Sequence, residues 1–111
     1  MPTNTDLDYR TAEALSNRET LATGQVSVGS AGTAEALATD QPVPDGTPVA
    51  IRANSDNTTP VYIGDSSVTA STGIELTAGD GITLNINDVS VAHVDADTSG
   101  DGVSWIVEVD N

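Results

Sequence analysis

A mainly β chain, folded as a small antiparallel β-sandwich or barrel behind an N-terminal helical or extended arm, is the fold class this sequence predicts. Three observations lead there. From Gln25 onward, short runs rich in Val, Ile and Thr are separated by Gly, Pro, Asn, Asp and Ser at intervals of about 8–12 residues. Several runs alternate apolar with polar, as in Val49-Ile51-Ala53 and Ile82-Leu84-Ile86, the pattern of a strand with one dry face. Residues 1–24 have a different texture, with no Gly or Pro between Asp6 and Thr23.

Taken in order, the arm comes first. Over 6–23, DLDYRTAEALSNRETLAT, the residues Leu7, Ala14 and Leu21 recur at sevens beside Leu15, giving a narrow apolar stripe. Thr5 or Asp6 can cap a helix there and Gly24 can stop it. An isolated helix of this length is marginal, so the segment is expected either as a helix or extended arm that orders against a partner, with Leu7, Leu15 and Leu21 as contacts, or as an autonomous helix. Domain organisation is therefore an arm over 1–24 and a β domain over 25–111. Strands are expected at 25–28, 33–38, 48–54, 60–64, 67–70, 74–77, 82–87, 90–96 and 102–109, and 41–48, QPVPDGTP, is a Pro-rich connection. No βαβ rhythm and no heptads run through the chain.

Charge narrows the function classes. Seventeen acids stand against three arginines, with no lysine, for a formal net charge of -14 over 111 residues. Phosphate recognition needs a positive patch that three scattered arginines do not make, and binding to an anionic membrane fails for the same reason. There is no cysteine, so disulfides, thiolate metal sites and thiol catalysis are excluded. No apolar run approaches the roughly 20 residues of a membrane span, and the first residues lack the basic-then-apolar layout of a signal peptide. Twelve of the acids are Asp, the shorter carboxylate. Together with the absence of lysine, this composition fits work in molar salt, where screening over about 3 Å relieves self-repulsion. The surplus is uneven: residues 1–24 carry four acids and two arginines, whereas 25–111 carry thirteen acids and one arginine.

Few residues offer chemistry. His93 in SVAHVDA has no Cys, Lys or second His near it in sequence and reads as structural. No G-x-S-x-G is present, and the glycines of GDGIT and SGDGV do not open helices, so neither a nucleophile elbow nor a phosphate loop is expected. An enzyme is not predicted, and no cofactor is implied. One spacing stands out: Asp95, Asp97, Ser99 and Asp101, with Gly100, match the opening of a D-x-D-x-S-G calcium loop. The closing Glu of that pattern falls at position 106, which is Ile, and the flanks are strands. A β-hairpin turn over DTSGDG is the simpler expectation, with an incomplete structural cation such as calcium as the alternative. Trp105, flanked by Val103 and Val107, reads as a core or interface anchor.

From Val49 to Trp105 the chain resembles a small β domain common in structural proteins of tailed phages. The resemblance is carried by Arg52-Ala53, Asn57-Thr58 with Val61-Tyr62-Ile63-Gly64, and Val68-Thr69. It continues through Gly73 with Leu76 and Gly79, Asp88-Val89-Ser90, and Val103-Ser104-Trp105. GQVSVGSAGTAEALA is similar to that family's opening strands, so the likeness covers about residues 24–109. It implies a virion structural protein in head, neck or tail and carries over no catalytic residue. The departure from the usual sequences is the acidity and lack of lysine, which points to a virus of a halophilic, haloarchaeal host. The expected function is thus a capsid decoration or turret-like head protein on the particle surface. It would assemble by symmetric contacts as a homo-oligomer and bind the major capsid protein or other virion proteins, without nucleic acid or membrane. The alternatives are a neck, tail or baseplate component, including a host-recognition tip, and an extracellular carbohydrate-binding domain.

Overall fold

A computed structural model describes residues 20–109, which form two four-stranded antiparallel sheets packed face to face. The strands are β1 (Thr20–Ser27), β2 (Glu35–Ala36), β3 (Val49–Ala53), β4 (Val61–Gly64), β5 (Ile74–Leu76), β6 (Gly81–Leu84), β7 (His93–Ala96) and β8 (Gly102–Val109). Sheet A has the order β1-β8-β3-β6 and sheet B the order β2-β7-β4-β5. The mainly β sandwich expected from the sequence is the observed architecture.

β1, β3 and most of β8 alternate inward and outward residues, as period-2 geometry predicts, whereas β4 buries Val61, Tyr62 and Ile63 in succession and β7 buries Val94, Asp95 and Ala96. Val49, Ile51 and Ala53 of β3 and Val103, Trp105 and Val107 of β8 point inward from sheet A. They meet Val61, Ile63, Leu76, Val94 and Ala96 from sheet B, with Val28, Leu37, Val43, Val89 and Ala92 closing the ends. Ile51, Val49, Val61, Val94, Val103 and Val107 are fully buried. Each such side chain contributes roughly 1.5–3 kcal/mol relative to exposure, so a core of β-branched residues suffices without a single Phe. Trp105 spans the sandwich: its indole Nε1 donates to the Leu37 carbonyl at 2.9 Å, tying sheet A to the segment that follows β2.

Three expectations need correction. Of the helical and extended alternatives for the arm, the helical one does not hold at 20–23, because Thr20 to Thr23 are the first half of β1; the rest of the arm, with Leu7 and Leu15, lies outside the described residues. Pairing with β8 from Thr20↔Val109 to Ser27↔Gly102 supplies a ladder that a local stripe of leucines does not. Residues 67–70 form turns rather than a strand. There the Asp65 carboxylate accepts from Ser67 N–H and Oγ at 3.0 Å, and Thr69 N–H donates to Thr72 Oγ1 at 2.9 Å. Short polar side chains compete for main-chain donors, and the ladder loses. Finally, DTSGDG is not the turn of a hairpin. β7 belongs to sheet B and β8 to sheet A, so this loop carries the chain between sheets. The Asp88-Val89-Ser90 turn, by contrast, is a 3-10 turn over Val89–Val91 capped by Asp88, whose side chain accepts from Ser90 N–H.

Candidate functional site

The four oxygen-bearing residues singled out at 95–101 occupy one end of the sandwich, and three separate parts of the chain engage them: Ala31 and Gly32, Thr58 and Thr59, and Tyr62. Asp101 is buried, 5% exposed. Its carboxylate accepts from Thr59 N–H at 2.8 Å, Thr59 Oγ1 at 2.9 Å and Thr58 N–H at 3.1 Å, with Thr58 Oγ1 at 3.2 Å. Burial alone raises its pKa, but the donors of Thr59 and Thr58 outweigh that and hold it below the usual carboxylate range. Main-chain bonds complete the joint: Val28 N–H donates to Asp101 O, and Gly100 N–H to Val28 O, both at 2.8 Å. Gly100 has φ 98°, a left-handed conformation that glycine adopts without strain.

Asn57 adds a clamp on the next residue. Its side-chain amide donates to Gly102 O and accepts from Gly102 N–H, both at 2.9 Å, satisfying the first residue of β8 as a neighbouring strand would. A side chain at Gly102 is impossible, because its Cβ would overlap Val26 O. Asp95, also buried, accepts from Gly32 N–H at 3.0 Å and Ala96 N–H at 2.8 Å. Ser99 Oγ accepts from Ala31 N–H at 3.0 Å. Asp97 accepts from the Tyr62 hydroxyl at 2.9 Å, and that bond is the main cause of the raised Tyr62 pKa.

The geometry therefore staples three loops, 29–33, 54–59 and 97–101, to one another. Lone pairs that a calcium ion would need are directed at N–H and O–H donors in separate places. Among the described residues no group of three or more His, Asp or Glu side chains is gathered in an arrangement able to hold a metal ion. His93 is half-buried on β7, with Nδ1 3.3 Å from Val91 O, a local contact rather than part of a catalytic pair.

The surface carries a second feature, which sequence reading missed. The outer face of sheet A presents Leu21, Thr23, Gln25 and Ser27 from β1, and Ser104, Ile106 and Glu108 from β8. Ala50 and Arg52 of β3 and Gly81 and Thr83 of β6 complete it. Arg52 and Glu108 are its only charged residues, so the face has no net charge in a chain of -14. Leu21 is 57% and Ile106 41% exposed, and a shallow depression runs over Ala50, Arg52, Thr83, Ser104 and Ile106. Of the expected contact residues, Leu21 lies on this face and Trp105 lies beneath it in the core. Strand register alone reveals the face: the odd positions of β1 and the even positions of β8 fall together once those strands pair.

Neither a protein-family model nor a curated protein sequence matches the chain. Among solved structures it is similar to IMPa from Pseudomonas aeruginosa, described in complex with an O-glycopeptide. The TM-score is 0.50 and the identity 13% over 82% of this chain. The matched part is 12% of the length of that protein, and at this identity the likeness is one of fold.

Proposed function

We propose that the chain is a structural protein of a virion, a capsid decoration or turret-like subunit on the head of a tailed virus of a halophilic host. The observation that carries this reading is the contrast between an acid-rich shell and one near-neutral sheet face. Such a face suits protein contact, and the shell suits brine. The fold is compatible with the resemblance to tailed-phage β domains, whose elements Arg52-Ala53, Val61 to Gly64 and Val103-Ser104-Trp105 fall on β3, β4 and β8. Symmetry multiplies weak contacts, so a small sandwich can coat a particle by binding its own copies and the major capsid protein. On this reading the protein is not an enzyme and sits at the particle surface.

Copy number in purified particles tests the proposal. Hundreds of copies by quantitative mass spectrometry fit decoration, a few to a dozen move the protein to a vertex, neck, tail or baseplate, and absence from the particle ends the virion reading. A carbohydrate-binding domain is the second reading, favoured by the fold likeness to a protein described with an O-glycopeptide. Against it, the aromatics among the described residues, Tyr62 and Trp105, are 8% and 7% exposed and offer no open platform. Calorimetric titration with an O-glycopeptide separates the two.

A further inference from the structure

Edge strands expose unpaired N–H and C=O groups, and proteins blunt them by shortness, charge, proline or a covering segment. Three of the four edges here are short: β2 has two residues, β5 three and β6 four. The fourth, β1, has eight residues, TLATGQVS, with no charge and no proline. Its inner side pairs with β8. Because Val28 N–H and C=O bond to Asp101 and Gly100, the alternation of an antiparallel ladder turns Ala22, Gly24 and Val26 toward β8. Leu21, Thr23, Gln25 and Ser27 then turn their main-chain groups outward, where no strand among the described residues pairs with them.

We propose that β1 pairs with β1 of a second copy of this chain, antiparallel about a two-fold axis at Gly24, to make one continuous eight-stranded sheet. Outward groups must face outward groups, which restricts the symmetric registers. Centring on Gly24 sets Thr23 opposite Gln25 and Leu21 opposite Ser27 of the second copy. The whole strand is then used, with about eight main-chain hydrogen bonds formed. Shifting the centre leaves outward groups at one end unmatched. Gly24 suits the axis, since opposed Cα atoms at a non-hydrogen-bonded pair approach to about 4.5 Å. Its missing Cβ also leaves room for the Trp105 indole, which a Cβ would meet at 2.6 Å.

Charge favours this strip as the meeting place. Two chains of -14 repel, and β1 with its neighbours Ser104 and Ile106 carries no charge to add to that repulsion. The same repulsion makes pairing strengthen with salt, as the screening length falls from about 10 Å at 0.1 M to about 3 Å at 1 M. A contact built on ion pairs would do the reverse. The inference stands apart from the virion reading, because pairing in solution holds or fails whatever the particle contains.

Sedimentation equilibrium of the full chain, across concentration and between about 0.1 M and 2 M NaCl, tests the pairing. The expected result is a monomer–dimer equilibrium whose dimer fraction rises with salt. Thr23→Pro removes an outward N–H while sparing the bonds to β8, and should weaken the dimer at least about tenfold. Gln25→Glu adds two carboxylates beside the axis and should weaken it in dilute salt and less in brine, which keeps the test valid if the proline variant folds poorly. Register is read by cysteines in a chain that has none. Oxidised with diamide, Thr23→Cys chains mixed with Gln25→Cys chains should form a disulfide-linked pair that neither forms alone. A monomer under all conditions, a dimer that salt dissolves, or one unmoved by both Thr23→Pro and Gln25→Glu overturns the proposal. So does dimerisation that appears only after residues 1–19 are deleted, which would assign the edge to the chain's own leading segment.

Discussion

Replacing Asp101 by Asn tests the loop joint with almost no change in shape. The carboxylate receives the N–H groups of Thr58 and Thr59. Converting two charge-assisted bonds to neutral ones costs about 1 kcal/mol each, so the variant should lose roughly 2 kcal/mol. A domain of this size has a total stability of roughly 5–13 kcal/mol, and the loss should lower Tm by roughly 8–16 °C. The effect depends on pH in a definite direction. The folded carboxyl is held below its ordinary 3.8, so its contribution is fully present above that value and is lost as pH falls through the folded pKa. Thermal melts followed by far-UV circular dichroism, at neutral pH and near pH 2, should show a gap between wild type and variant that closes in acid. A neutral-pH gap below about 0.5 kcal/mol, or one that persists undiminished in acid, refutes the assignment of Asp101 as an ionised anchor.

Other consequences can be checked alongside. Gly24→Ala puts a Cβ within 2.7 Å of three Trp105 ring atoms and should destabilise by about 1–3 kcal/mol, with a changed near-UV signal from the single tryptophan. Deleting residues 1–19 should leave a chain that still unfolds cooperatively in urea, whereas deletion through Thr23 strips half of β1 and should lower the urea midpoint sharply. Stability should rise between about 0.1 M and 2 M salt, as self-repulsion of the acidic shell is screened. Maximal stability in dilute buffer would contradict the halophilic reading.

Most of the sandwich was legible in the sequence because its strands advertise themselves by alternation. Ile51 between Ala50 and Arg52, and Trp105 between Ser104 and Ile106, assign their faces without any partner. Pairing was not legible. Gln41 to Thr47 and Thr98 to Gly102 carry the same turn residues whether they join strands of one sheet or cross between two, which is why DTSGDG looked like a hairpin. The start of β1 was hidden for a similar reason. Thr20 to Thr23 are compatible with a helix, and only the long-range ladder to β8 makes them a strand. At the loop end, spacing placed Asp95, Asp97, Ser99 and Asp101 in one run but could not show that Thr58, Thr59, Gly32 and Tyr62 come to meet them. The near-neutral face lay deeper still, since its residues come from four strands far apart in sequence.

The order of strands in sheet A also constrains how the molecule comes into being. β8, last of the eight in chain order, lies between β1 and β3, and it pairs Val109 with Thr20, the two ends of the described residues. Until it is made, β1 has no neighbour in the sheet and Trp105 is missing from the core. Closing loops of that size is slow, so folding should lag behind synthesis and proceed as a single late event. Chains cut short before β8 have no intermediate sandwich to rest in. Only copies that include β8 can then offer the β1 edge and the neutral face in their native form, which excludes chains cut short before it from any assembly built on them.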